Sequence, residues 1–256
     1  MEQKFIATES GRRIAYVYRH GTGEAGQPAI VFLPGLRSNM EGTKALFLDN
    51  LCRDKGLAYL RFDYSGHGRS SGQFTDGCIG DWADDAAAAI NGVTGRSLIL
   101  VGSSMGGWIA LLLAKRFPEK IAGIVGIAAA ADFTKDFLAG LSPEESEMLE
   151  RDGRIELSSE YDDEPTVITQ QLIDDGNRNL VLDEQLILSC PMILLHGTCD
   201  RDVDFRCSVR LIEHAQTPSS ELTLVHGEGH RFSSDRCLEL ISNAVKRAVA
   251  GSATED

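Results

Sequence analysis

Leu98-Ile99-Leu100-Val101-Gly102-Ser103-Ser104-Met105-Gly106-Gly107-Trp108-Ile109-Ala110-Leu111-Leu112 joins an apolar, strand-like run, a Gly-x-Ser-x-Gly turn and an apolar, helix-like run. Glycines two residues before and two after Ser104 let strand and helix pass close together, while the serine occupies a strained turn that projects its hydroxyl outward. The pattern alone is weak, because a chain with this glycine and serine content supplies it by chance. Its context decides: β-formers before it and small helix residues after it mark Ser104 as a nucleophile rather than part of a Gly-Ser loop.

Outward from this stretch the same alternation repeats. Ala29–Leu33, Ala58–Phe62, Ser97–Val101, Ile121–Ile127, Met192–Leu195 and Glu221–Val225 are near-continuous apolar runs, as expected of strands buried on both faces. Helices are predicted at Thr43–Lys55, Ile79–Asn91, Met105–Arg116, Phe205–Ala215 and Ser234–Ala250. Lys4–Thr8 and Arg12–Arg19 flank Glu9-Ser10-Gly11 and read as an antiparallel hairpin. The expected fold is α/β: a mostly parallel eight-stranded sheet with helices on both faces, in one domain spanning 1–256.

One interval breaks the rhythm. From Phe133 to Ser189 no buried strand is evident and the sequence turns acidic and amphipathic, which reads as an inserted cap over 133–189. Within it, Ser142-Pro143-Glu144-Glu145 supplies an N-cap, a proline at the first helical position and acids in the first turn, predicting a helix to about Arg151. Arg154–Tyr161 reads as a short strand or hairpin, and a second helix is predicted over Thr166–Asp175, ended by Gly176-Asn177.

The chain has 256 residues, 43% hydrophobic content and a formal net charge of -13. That charge repels nucleic acid and anionic membrane surfaces, and no lysine or arginine run offers a local exception. The acidic excess favours cationic substrates. Six cysteines occur without a Cys-x-x-Cys pair, so neither a zinc site nor a disulfide framework is expected, and reduced thiols are. No apolar stretch reaches a membrane-spanning length and the N-terminus lacks an apolar leader, so a cytoplasmic protein is expected.

A serine hydroxyl needs a base to take its proton and a carboxylate to hold that base in the right tautomer. His230, in His226-Gly227-Glu228-Gly229-His230 after the final strand, is the candidate base; His226 is expected to pack or hydrogen-bond in the loop. For the acid, Asp200 stands beyond a predicted strand end, four residues separating it from Leu195, with Asp202 as its nearest rival and Asp132 as another. Asp204 precedes a helix and reads as its N-cap, while His196 is expected to anchor the acid loop. Two backbone donors must hold the oxyanion: Met105 N–H after the nucleophile, and Leu36 N–H in Pro34-Gly35-Leu36-Arg37-Ser38. Asp63–Ser70 carries glycines but neither phosphate-binding pattern, so it reads as a turn shaping the pocket wall, with His67 outside the chemistry.

Pro34-Gly35-Leu36, Asp63–Ser70, Gly102–Gly106, His196-Gly197-x-x-Asp200-x-x-Val203 and Gly229-His230 occur in this order, and together they resemble the α/β-hydrolase superfamily over nearly the whole chain. A nearer likeness, through Gly42–Leu46, Arg61–Gly66, Val101–Trp108 and Ala129–Asp132, is to its mitochondrial palmitoyl-protein thioesterase and acyl-glucuronide esterase branch. That resemblance implies a Ser104, Asp200, His230 triad acting on carboxylic esters or acyl thioesters, including an acylated protein, without cofactor or metal. Two departures are the absence of a mitochondrial presequence and Val203-Asp204-Phe205 in place of the Val-Pro-Trp often found after the acid. Leu141, Met148, Leu149 and Ile155 in the cap are candidates for an acyl pocket, or for packing onto the core. A serine peptidase of the same fold and a non-catalytic binding protein on this scaffold are the competing readings.

Overall fold

The computed structural model describes residues 2–23, 26–93, 96–157 and 165–252. The chain runs β1 (Lys4–Ala7), β2 (Arg13–Arg19), β3 (Ala29–Leu33), α1 (Thr43–Lys55), β4 (Tyr59–Phe62), α2 (Ile79–Val93), β5 (Leu98–Ser103), α3 (Met105–Arg116) and β6 (Ile121–Ile127). It continues through α4 (Phe133–Gly140), α5 (Pro143–Asp152), β7 (Arg154–Leu157), β8 (Thr166–Thr169), α6 (Gln170–Gly176), β9 (Leu186–Ile187) and β10 (Met192–Gly197). The last elements are α7 (Arg206–His214), β11 (Ala215–Gln216), β12 (Ser220–Val225) and α8 (Asp235–Ser252).

Eight strands form one sheet in the order β1-β2-β4-β3-β5-β6-β10-β12. The pairs β1/β2 and β2/β4 are antiparallel, and every later pair is parallel. All residues of β3, β5 and β10 are buried, because successive side chains feed two separate cores. Leu98 and Leu100 pack with residues of α2 and α3, whereas Ile99 and Val101 pack with residues of α1 and α8.

After β3 the chain adds β4 on one side, then crosses back to place β5 on the other. Ligands in open α/β sheets bind outside the carboxyl ends of the strands at such a reversal. The register pairs Leu33 of β3 with Gly102 of β5, so the turn after β3 and the turn holding Ser104 leave the sheet side by side. The segments after β6, β10 and β12 emerge at the same edge.

In the segment following β6, α5 carries a complete capping box. Ser142 accepts from the Glu145 N–H at 3.2 Å, and the Glu145 carboxylate accepts from the Ser142 N–H at 2.8 Å. The helix expected over Thr166–Asp175 forms only from Gln170. Thr166–Thr169 is instead a strand antiparallel to Arg154–Leu157, and the Thr169 hydroxyl caps α6 by accepting from Leu172 N–H. The β-branched run Thr-Val-Ile-Thr suits the pleat, and a partner strand overrides the helical spacing. Residues 158–161 of the expected hairpin lie outside the described residues.

Candidate active site

Ser104 lies between β5 and α3 with φ 54° and ψ −121°. Positive φ at a non-glycine residue costs on the order of 1–3 kcal/mol and persists only where its surroundings over-determine it. Here the Ser104 N–H donates to Ile127 C=O at 2.9 Å, and its own carbonyl accepts from Gly107 and Ala130 N–H at 2.8 and 3.1 Å. The flanking glycines are required by contact: a Cβ on Gly102 would sit 2.3 Å from the Gly106 carbonyl oxygen, and one on Gly106 would sit 2.0 Å from that of Leu33.

Ser104 Oγ is 3.0 Å from His230 Nε2, and His230 Nδ1 is 2.8 Å from Asp200 Oδ2. The second Asp200 oxygen is held by backbone: Oδ1 accepts from the N–H groups of Asp202 and Val203 at 3.0 and 2.9 Å. His196, fully buried, places Nε2 3.1 Å from Asp200 Oδ2 and 3.0 Å from Val203 O, with Nδ1 2.7 Å from Ser208 Oγ. Both Nε2 partners are acceptors, so Nε2 carries the proton and Nδ1 accepts from the Ser208 hydroxyl. Burial alone would raise the Asp200 carboxyl, but hydrogen bonds from His196, His230 and Val203 N–H outweigh it and hold the group well below the usual carboxylate range. With Asp200 ionised, His230 Nδ1 is the donor, which leaves Nε2 to accept from the Ser104 hydroxyl.

The turn after β3 lies directly on the serine. A Cβ on Gly35 would be 3.2 Å from Ser104 Cβ and 3.3 Å from Ser103 O. Within this turn the Ser38 N–H donates to Gly35 O at 3.0 Å and the Arg37 N–H to His67 Nε2 at 3.1 Å. Neither obligation falls on Leu36 N–H. Met105 is the first residue of α3, so its N–H belongs to the helix N-terminus beside Ser104. His67 is more than pocket wall, because its buried imidazole fixes the turn. Burial lowers its pKa, and its Nδ1 bonds Ser65 O at 3.0 Å, so the neutral ring offers Nε2 as acceptor. The glycine-His-glycine loop after a strand was the available signal; its partner across 30 residues was not.

The rival acids are placed differently. Asp132 is buried and accepts from Val181 and Leu182 N–H at 2.8 and 2.9 Å, tying the segment after α6 to the start of α4. Asp202 is exposed, its carboxylate within 4.8 Å of Asp200 and His230 but without a hydrogen bond to the imidazole among those of the described residues. Asp204 accepts from Arg206 N–H at 2.8 Å, yet the N-cap of α7 is Phe205 and not the expected Asp204. His226 is exposed rather than packed in its loop. Leu149 and Ile155 are buried in the core, Leu141 packs against it and Met148 is exposed, and none of the four lines the cavity at Ser104. That cavity, about 370 Å³, also receives Leu36, His230 and the unanticipated Lys44. Its wall carries Arg37, Lys44 and Arg231 and no acidic residue among the described ones, contrary to the expectation that the acidic excess favours cationic substrates.

The sequence profile of the alpha/beta hydrolase fold matches residues 28–159. The chain is an α/β hydrolase. This hydrolase is 34% identical over 215 residues to the mitochondrial palmitoyl-protein thioesterase ABHD10 of Mus musculus, covering 84% of this chain and 72% of the relative. The crystal structure of a putative hydrolase from Agrobacterium vitis superposes with a TM-score of 0.93 at 37% identity, over 97% of this chain and 98% of that one. Mouse alpha/beta hydrolase domain-containing protein 10 superposes with a TM-score of 0.90 at 30% identity, over 98% and 99%. The ABHD10 relatives correct one expectation: they are mitochondrial, which contradicts a cytoplasmic location. Free thiols and the lack of a long apolar segment do not separate one reducing compartment from another. No described helix is long and apolar enough to cross a membrane.

Proposed function

We propose that this hydrolase cleaves carboxylic esters or acyl thioesters through an acyl-enzyme on Ser104. The observation that carries the reading is the unbroken chain from Ser104 Oγ through His230 to Asp200, at 3.0 and 2.8 Å. Ser104 Oγ bonds the acyl carbon as its proton passes to His230 Nε2; the carbonyl becomes an oxyanion held by Leu36 and Met105 N–H. The carbon–oxygen or carbon–sulfur bond then breaks, and His230 gives its proton to the leaving group. Water attacks the acyl-enzyme, yields its proton to His230 and releases the carboxylic acid with Ser104 restored. Acyl thioesters enter as substrates through the names of the relatives, one of which is a palmitoyl-protein thioesterase.

We read the chain as one domain in which 133–189 forms a cap over the strand ends. Contacts that support this join the segment to the body: Trp108 Nε1–H donates to Asn179 O at 3.0 Å, and Gly80 N–H to Asp175 Oδ2 at 2.7 Å. A fluorophosphonate probe is expected to label the native protein and not Ser104→Ala; absence of labelling, or equal labelling of both, sinks the assignment. Asp200→Asn should lower kcat by about 10³- to 10⁴-fold, with Asp202→Asn and Asp132→Asn far milder. Matched thioester, ester and amide substrates separate this reading from a peptidase, which would turn over the amide.

A further inference from the structure

Among the described residues one lysine, Lys44, lines the cavity that holds Ser104 and His230. Its half-buried side chain leaves the first turn of α1 and donates from Nζ to Arg231 C=O at 2.6 Å, the carbonyl of the residue that follows the base. No carboxylate among the described residues lies within ion-pair distance of it, and the first turn of α1 has no acidic residue to offset the positive end of the helix. Burial lowers Lys44 to about 8, against a smaller opposing effect of Cys237 and with a smaller reinforcing one from Arg231. Near neutral pH it therefore spends far more time as free amine than an exposed lysine, whose value is about 10.4.

The acyl-enzyme is resolved by a second nucleophile whose proton His230 Nε2 can take, so that nucleophile must reach Ser104 through the cavity the two residues share. Water is one such nucleophile. The neutral Lys44 amine is another, and it is tethered to the cavity wall while water has to diffuse in. We propose that Lys44 is an internal acyl acceptor, the site to which this hydrolase transfers an acyl group from its own Ser104. The proposal rests on the acyl-enzyme reading above and adds a modification site to it, with acyl thioesters and carboxylic esters as the acyl donors. In the step, Nζ of the neutral amine bonds the acyl carbon, the bond from that carbon to Ser104 Oγ breaks, and the proton shed by nitrogen passes through His230 Nε2 to Ser104 Oγ. The products are an Nζ-acyl-lysine and a free serine, and no further reactant is consumed. Loss of the Lys44 proton also weakens the bond to Arg231 C=O, because a neutral amine is a poorer donor than an ammonium, and this frees the side chain to swing toward the serine.

The test incubates the native protein with the octanoyl thioester of neutral 3-mercaptopropanamide, follows thiol release, and maps octanoyl-lysine by mass spectrometry of tryptic peptides. Trypsin does not cut after an acylated lysine, so modification at Lys44 leaves the peptide Ser38–Arg53 uncut. Exposed Lys55 reports uncatalysed acylation by the thioester, and Lys44 occupancy should exceed it at least about tenfold. Ser104→Ala should lose that excess; native protein blocked at Ser104 by the fluorophosphonate probe should lose it too, which keeps the test decisive if the variant does not fold. The ratio of Lys44 acylation to enzyme-dependent thiol release should rise about tenfold from pH 7 to 9 as Lys44 loses its proton. His230 serves both routes and cancels in this ratio, Arg231 stays charged, and burial pushes the Cys237 thiol up. Thiol release with Lys44 occupancy no higher than that of Lys55, occupancy unchanged by removing or blocking Ser104, or a ratio that stays flat with pH overturns the proposal and leaves the triad standing. Absence of enzyme-dependent thiol release overturns both.

Discussion

Gly35→Ala should impair catalysis without unfolding the protein. The added methyl would stand 3.2 Å from Ser104 Cβ, 3.3 Å from Ser103 O and 3.8 Å from Ser104 Oγ. Carbon–carbon contacts are most favourable at about 3.5–4.0 Å, so relief needs a shift of roughly 0.3–0.8 Å. Ser104 cannot supply it, since both its N–H and its carbonyl are committed to Ile127, Gly107 and Ala130. The turn after β3 must move instead, and Leu36 N–H moves with it. Losing an oxyanion donor outright costs about 10²- to 10³-fold in kcat, and a misplacement near 1 Å costs about 10²-fold. A kcat loss of about 10- to 100-fold is therefore expected, with little change in KM and a melting temperature within a few degrees of wild type. Steady-state kinetics on an activated ester, beside a thermal melt, provide the assay. A kcat within twofold of wild type for Gly35→Ala would refute the placement of the oxyanion donor in this turn.

His67→Phe removes the acceptor of Arg37 N–H from a buried site, which typically costs about 1–3 kcal/mol; kcat should fall about tenfold, and a variant that melts lower yet turns over normally would show that the turn holds itself. His196→Phe strands the Ser208 hydroxyl and Val203 carbonyl and withdraws a donor from Asp200, so a loss of about 2–4 kcal/mol in urea unfolding is expected, since bonds to charged groups contribute about 1.5–3 kcal/mol. The depressed Asp200 makes its ionised form stabilising: that contribution is complete above the unfolded carboxylate value of about 4 and is lost as pH falls toward the folded one. The stability gap between wild type and Asp200→Asn should accordingly narrow from pH 7 to pH 3, and a gap that widens would reverse the sign of the argument.

Much of the frame is local. Helix α1 begins and ends at Gly42 and Gly56, α3 begins at Ser104 and stops before Phe117-Pro118, and the fully apolar strands announce a sheet covered on both faces. Where a neighbour distant in sequence supplies the stabilisation, local reading fails. Thr166–Thr169 becomes a strand because Arg154–Leu157 offers a ladder, and α4, with five small or polar positions in eight residues, is marked by little more than Phe133 and Phe137 one turn apart.

Local sequence sets the surroundings of Ser104, the strand-turn-helix that forces it into positive φ, since the close approach of backbones there permits only glycine at 102 and 106. It also set the chain order of serine, acid and histidine candidates. The packed fold selects the aspartate that bonds His230, because Asp132, Asp200, Asp202 and Asp204 differ in partners rather than in local pattern. It likewise decided that His196 bonds the acid, that His67 holds the turn beside the serine and that Lys44 faces the cavity. Each of those is a contact between segments brought together by the strand order, and hydrogen bonds and charge pairs act over a few ångströms of space, whatever separates the residues along the chain.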